Sequence, residues 1–128
     1  MWKSKSEVRK YVWDLMVRER VAAFPYPPHG RIPNFVGAEA AAKQIRKLDE
    51  YGRAECVFSP PDGVLIPFRR MVLKDGKILA YSTPHMKSFK MMKPGAPIRV
   101  AIRDLVRGGE PLTRRVDIAV VGSVAVDI

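Results

Sequence analysis

Glu55-Cys56-Val57-Phe58-Ser59, then Leu65 to Lys74, then Lys77-Ile78-Leu79-Ala80-Tyr81-Ser82 follow one another with only short turns between them. Their order decides the fold. The first run is β-prone and stops at Pro60-Pro61-Asp62-Gly63, a turn composition. The second places Phe68, Met71 and Val72 at helical spacing, tolerates Pro67 near its start and ends at Asp75-Gly76. The third is again apolar and runs into Thr83-Pro84. Strand, helix of about ten residues and strand make a βαβ unit, whose two strands run parallel in one sheet.

Toward the amino terminus, Ser4 to Arg20 reads as a helix, because Val8, Tyr11, Val12, Leu15 and Met16 recur at three- and four-residue spacing without Gly or Pro. That stripe is expected to face a core, with Glu7, Lys10, Asp14, Arg18 and Arg20 solvated. Phe24-Pro25-Tyr26-Pro27-Pro28-His29-Gly30 forms a rigid connector, since each proline fixes its own φ and pushes its predecessor to extended backbone. Gly37 to Leu48 then reads as an alanine-rich helix packing through Ala38, Ala41, Ala42, Ile45 and Leu48.

Toward the carboxyl terminus, Lys87 to Pro97 reads as an irregular basic loop, and Ile98 to Arg107 as a short helix with Ile98, Ile102 and Leu105 inward. Val116 to Val121 is β-branched and nearly continuous, as in a central parallel strand buried on both faces. Gly122-Ser123 turns after it. The expected fold class is therefore α/β with a mostly parallel sheet.

At 128 residues the chain is expected to form one domain. Its 47% hydrophobic content supplies a core. Its longest apolar runs, such as Ile118 to Val121, fall far short of the roughly 18 residues of a membrane span. Met1 to Lys10 is charged and lacks a following apolar segment, so it does not read as a secretory signal, and a cytoplasmic protein is expected. Cys56 is the only cysteine, which excludes an internal disulfide and a cysteine-based zinc site. Two side-chain amides, Asn34 and Gln44, and 11 prolines follow a thermophile habit. The net charge of +10 attracts anions without choosing among nucleic acid, anionic lipid and phosphorylated small molecules.

Lys5 and Arg9 stand four apart at the start of the first helix, where the dipole also favours anions. His29 and His85 each lie beside a proline without carboxylates at ligand spacing and read as loop histidines. No nucleophile elbow and no Walker-type loop occurs, since Pro94-Gly95-Ala96-Pro97 lacks the spacing. Met86, Phe89, Met91 and Met92 among Lys87, Lys90 and Lys93 are either a grip for a planar ligand or base, or filling over a sheet edge. Gly122 and Ser123 fall just past a parallel strand, where open α/β sheets bind ligands.

Lys5-Ser6-Glu7-Val8-Arg9 opening a helix, Thr83-Pro84 after a strand, and Val116 through Val121 followed by Gly122-Ser123-Val124-Ala125-Val126-Asp127 together resemble the 5-formyltetrahydrofolate cyclo-ligase family. Phe24-Pro25 and Arg31-Ile32-Pro33-Asn34-Phe35 narrow the resemblance to its methenyltetrahydrofolate synthetase domain-containing branch. The resemblance implies a three-layer α/β fold like that of ribose-5-phosphate isomerase and CoA transferases. It also implies ATP and Mg2+ as cofactors, a folate-like substrate, and ATP-dependent conversion of 5-formyltetrahydrofolate to 5,10-methenyltetrahydrofolate. Lys5 and Arg9 match the family's phosphate-binding basic residues, and Gly122 and Ser123 open the segment leading to its nucleotide loop.

In that family a glycine-rich loop of the form G-x-R-x-G-x-G-x-G-Y-x-D follows, with a carboxylate for magnesium, and the present sequence stops before it. The expectation is a truncated amino-terminal part with impaired catalysis and an open sheet edge through which it self-associates. The alternative is a basic nucleic-acid-binding module without catalytic activity, using the Lys87 to Lys93 segment.

Overall fold

A computed structural model of the chain describes residues 2–95 and 97–126. Ala96, Asp127 and Ile128, which belong to segments singled out above, lie outside the described residues. The βαβ unit is present: β3 (Cys56–Ser59) and β4 (Ile78–Ser82) pair in parallel with Val57 opposite Leu79, and α4 (Ile66–Lys74) connects them. Pro67 sits in the first turn of α4, where its missing N–H costs nothing.

Two short strands, β1 (Ala22–Ala23) and β2 (Asn34–Phe35), pair antiparallel and close the proline-rich connector. The main sheet adds β5 (Phe89–Met92), β6 (Glu110–Pro111) and β7 (Ile118–Ala119), in the order β6-β5-β4-β3-β7. β3, β4 and β7 are parallel, whereas β5 runs antiparallel to both β4 and β6, so the sheet is mixed.

Helices α2 (Ala38–Gln44), α3 (Asp49–Arg53), α4 and α5 (Ile102–Arg107) contribute Ala42, Tyr51, Phe68 and Leu105 to one cluster with Val57, Leu79 and Tyr81 of the sheet. Phe68, Leu79 and Leu105 are fully buried, each worth roughly 1.5–3 kcal/mol of transfer energy. On the opposite face of β3, Phe58 meets Phe89 at 6.3 Å between ring centroids.

Five expectations need correction. The first helix, α1 (Lys5–Arg18), has no buried residue: Val8, Val12, Leu15 and Met16 are half-buried and Tyr11 is exposed. Its anchors are polar and aromatic contacts to the connector, not a core. The alanine-rich helix breaks at Leu48, which is extended (φ −81°, ψ 129°) and half exposed, because a second helix restarts at Asp49.

The Lys87 to Pro97 segment holds a strand, β5, over Phe89–Met92, since the edge of β4 offers its backbone a ladder. The helix expected from Ile98 begins only at Ile102, with the Asp104 carboxylate accepting the Ala101 N–H. Finally, among the described residues Val116 to Val121 is not central. Only Ile118–Ala119 is strand, at the sheet edge beside β3, with Ala119 and Val121 exposed.

Carboxylates fasten the elements. Asp75 accepts Arg46 through Nε at 3.0 Å and Nη2 at 2.7 Å, and the Tyr51 hydroxyl at 2.7 Å. Asp117 accepts the N–H groups of Glu55 and Cys56 at 2.9 and 3.0 Å, holding the start of β7 to β3. The Arg46 guanidinium chiefly lowers the pKa of Asp75, and the Cys56 N–H chiefly that of Asp117. A carboxylate whose folded pKa is depressed stabilises the fold above the usual carboxylate range and loses that contribution as pH falls through the folded value. The denaturation midpoint is therefore expected to drop between about pH 5 and about pH 2, and Asp75→Asn to flatten that drop. An unchanged acid limb in the variant would assign the pH dependence elsewhere.

Candidate functional site

The parallel strands β3, β4 and β7 end on one rim, and a cleft of about 230 Å³ opens beside the end of β7. Its walls come from four places: Ile32 and Phe35 of the connector, Ala38 and Ala42 of α2, Phe68 of α4, and the turn at Gly122-Ser123. The small side chains of α2 make the room. At Gly122 a Cβ would stand 2.6 Å from Ile32 Cγ2, so glycine is needed for the turn to close against the connector.

Ser123 does not offer a free donor inward, because its hydroxyl donates to Ala125 O at 3.0 Å. Among the described residues, no Lys, Arg, Asp or Glu lines the cleft. The volume is below the roughly 300–1,000 Å³ of whole small-molecule sites. It suits one planar apolar group, not a triphosphate.

Of the four residues singled out in the sequence, Gly122 and Ser123 line this cleft and Lys5 and Arg9 do not. Lys5 and Arg9 are exposed on the first turns of α1. The amino end of that helix is already capped: Ser4 Oγ accepts the Glu7 N–H at 3.2 Å, and the Glu7 carboxylate accepts the Lys3 N–H at 3.0 Å. Arg9 donates to Ser6 Oγ at 3.3 Å.

The basic segment is also largely occupied. Lys90 Nζ donates to Val106 O and Gly108 O at 2.9 and 2.8 Å, closing the carboxyl end of α5, and Lys93 pairs with Glu110 at 3.4 Å. Met91 is buried, as a filler would be. His29 stays in its loop, 2.7 Å from the Asp14 carboxylate.

One residue of this rim was not singled out in the sequence. Arg69 of α4 is fully buried, with Nη1 donating to Pro60 O and Asp62 O at 2.9 Å each and Nε to Val100 O at 3.2 Å. Burial pushes its pKa down to about 10, so it remains charged at neutral pH. The signal was present: Leu65, Arg69 and Val72 share one helical stripe, and a cation on an apolar stripe demands buried acceptors.

Among the described residues, no group of three His, Cys, Asp or Glu is placed to hold a metal, and no helix is long and apolar enough to cross a membrane. The fold and rim define a mixed α/β protein with an apolar cleft beyond the carboxyl end of a parallel edge strand.

No family model matches the sequence, and no solved structure matches it. Curated sequences do. The chain is 34% identical to a methenyltetrahydrofolate synthase domain-containing protein of Homo sapiens over 96% of its own length, and equally to that of Bos taurus. For Danio rerio the identity is 31%. The chain is thus a relative of the methenyltetrahydrofolate synthase domain-containing proteins, and it spans about 36% of the length of those it matches.

Proposed function

We propose that the chain is the amino-terminal, single-domain part of a cytoplasmic cyclo-ligase-like protein of folate metabolism, with the three-layer architecture of ribose-5-phosphate isomerase and CoA transferases. Identity of 34% over 96% of the chain to relatives named for methenyltetrahydrofolate synthase carries this reading. The placement of Gly122 and Ser123 on an apolar cleft supports it. In this reading the cleft receives the planar ring of a folate-like molecule, and Lys5 and Arg9 meet phosphate. The open edge of β7 is where the chain self-associates.

ATP and magnesium enter only with the family. The described residues of the cleft do not fit them, since no cation and no carboxylate lines it. Activity of this chain alone is therefore expected to be feeble.

Calorimetric titration of 5-formyltetrahydrofolate should show binding that weakens at least tenfold in Ala38→Trp, where an indole fills the cleft. Absence of folate binding at millimolar concentration would remove the reading. In parallel, ATP binding should be lost in Lys5→Ala/Arg9→Ala, and its persistence would remove those two residues from the phosphate role.

A further inference from the structure

The amino-terminal arm, α1 with the connector, carries a surface that the folate reading does not use. Trp2 and Tyr11 are each about half exposed, Phe24 is 76% exposed and Tyr26 65%. The rings stand in two pairs: Trp2 and Tyr11 with centroids 5.0 Å apart, and Phe24 and Tyr26 at 6.4 Å, edge to face. Rings this large normally bury most of their surface. Four of them in the solvent on one arm call for a partner with flat apolar faces.

The charge around them is basic. Residues 2–36 hold seven Lys and Arg against Glu7, Asp14 and Glu19. Those carboxylates are engaged locally: Glu7 with the Lys3 N–H, Asp14 with Lys10 at 2.8 Å and His29, and Glu19 with Arg18 at 4.0 Å. Among the described residues no carboxylate lies within 4.0 Å of Arg20 or Arg31.

The arm is also preorganised. Trp13 Nε1 donates to Arg31 O at 3.2 Å, the Trp13 and His29 rings pack at 5.7 Å, and the Val36 N–H donates to Val21 O at 2.8 Å. Helix and connector therefore present their rings without first having to be ordered.

We propose that this arm binds single-stranded nucleic acid, with Trp2, Tyr11, Phe24 and Tyr26 stacking on unpaired bases and neighbouring cations, Arg20 and Arg31 among them, meeting phosphates. Every base has a π face, so the binding is tolerant of sequence. A lipid surface is the less suitable partner. The aliphatic stripe of α1, Val8, Val12, Leu15 and Met16, is already half-buried, whereas an interfacial helix lays an exposed stripe into the bilayer.

The test is fluorescence anisotropy of labelled 12-nucleotide single strands with the 128-residue chain. Binding should weaken with salt, with a log–log slope of about −1.4 to −2.8 for two to four phosphate contacts. Trp2→Ala/Tyr11→Ala and Phe24→Ala/Tyr26→Ala should each lower affinity at least fivefold. Tyr11→Phe/Tyr26→Phe should keep it, because the stacking surface remains. Trp2 emission, isolated in a Trp13→Phe background, should be quenched on binding. Trp2, Tyr11, Phe24 and Tyr26 are exposed and Trp13 is half-buried, and the circular dichroism of each variant, the Trp13→Phe background included, shows whether its fold is retained. Equal affinity of folded alanine variants and parent would overturn the proposal, leaving only the attraction of a +10 chain for a polyanion. Tighter binding to phosphatidylserine vesicles, with no competition from the oligonucleotide, would overturn it in favour of a membrane surface.

Discussion

Replacing Arg69 by leucine is expected to lower stability by about 3 kcal/mol, read as a fall in the urea midpoint at neutral pH. The guanidinium holds the Pro60 and Asp62 carbonyls after β3 and the Val100 carbonyl before α5. Leucine removes all three hydrogen bonds, each worth about 1.5–3 kcal/mol to a charged donor, and leaves Val100 O unpaired, while Pro60 O keeps the Ser59 hydroxyl and Asp62 O the Leu65 N–H. Part of that loss is offset, because the charged group is buried at a cost visible in its lowered pKa, and Nη2 has no partner. Three lost charge-assisted hydrogen bonds outweigh one relieved charge. Arg69→Lys should fall between, since an ammonium reaches fewer of the three oxygens. An undiminished midpoint in Arg69→Leu would mean that the desolvation cost equals the whole value of the clamp.

The alkaline limb carries the same residue with a defined sign. Arg69 has a folded pKa of about 10, below its ordinary 12.5, so the burial cost is present at neutral pH and is relieved as pH rises through that window. Tyr81, pushed up to about 12 by burial, acts in the opposite sense: its stabilisation is complete below pH 10 and is lost toward pH 12. Arg69→Leu removes the compensation and should unfold at lower pH than the parent.

Gly109→Val is the second large effect, expected at about 2–5 kcal/mol. Gly109 has φ 73°, and a Cβ built there falls on the Tyr81 hydroxyl and 3.1 Å from Met91 O. That hydroxyl is itself committed, donating to Leu105 O at 2.7 Å and tying β4 to the end of α5. The left-handed backbone costs a β-branched residue about 1–2 kcal/mol, and the overlap adds about 1–3 more. Gly76 is the control: its φ is 77°, yet nothing lies within 4 Å of its Cβ position, so Gly76→Ala should show the backbone cost alone. Adding Tyr81→Phe to Gly109→Val should recover part of the loss. No recovery would place the strain in the backbone.

The βαβ unit was legible because its information is local. Phe68, Met71 and Val72 recur at helical spacing, the flanking runs are β-prone, and Pro60-Pro61 and Asp75-Gly76 punctuate them. The resemblance to the folate family was legible in the same way, from residues read in order, and the relatives at 31–34% identity agree with it. The two residues just past the last strand, Gly122 and Ser123, were legible as a rim position from topology alone.

Misread segments were those whose state depends on what lies beside them. Lys87 to Pro97 has the composition of a basic loop, and its Phe89–Met92 stretch becomes a strand because β4 has an open edge there. Val116 to Val121 has the composition of a central strand, but no strand among the described residues pairs on its outer side. Composition reports how much apolar surface a segment carries, not how many neighbours arrive to cover it. The same holds for α1, whose periodicity is sound and whose burial is nevertheless partial.

The sequence by itself determined the element types around β3 and β4, the basic charge, the lack of a disulfide and the family relationship, because each rests on neighbouring residues or on their order. Tertiary structure alone decided the rest. It separated Gly122 and Ser123 on the cleft from Lys5 and Arg9 outside it, consumed Lys90 and Lys93 in caps and pairs, buried Arg69 among three carbonyls, and left four rings on the arm in solvent. Those outcomes depend on which groups meet across tens of residues, and a linear pattern holds no distances of that kind.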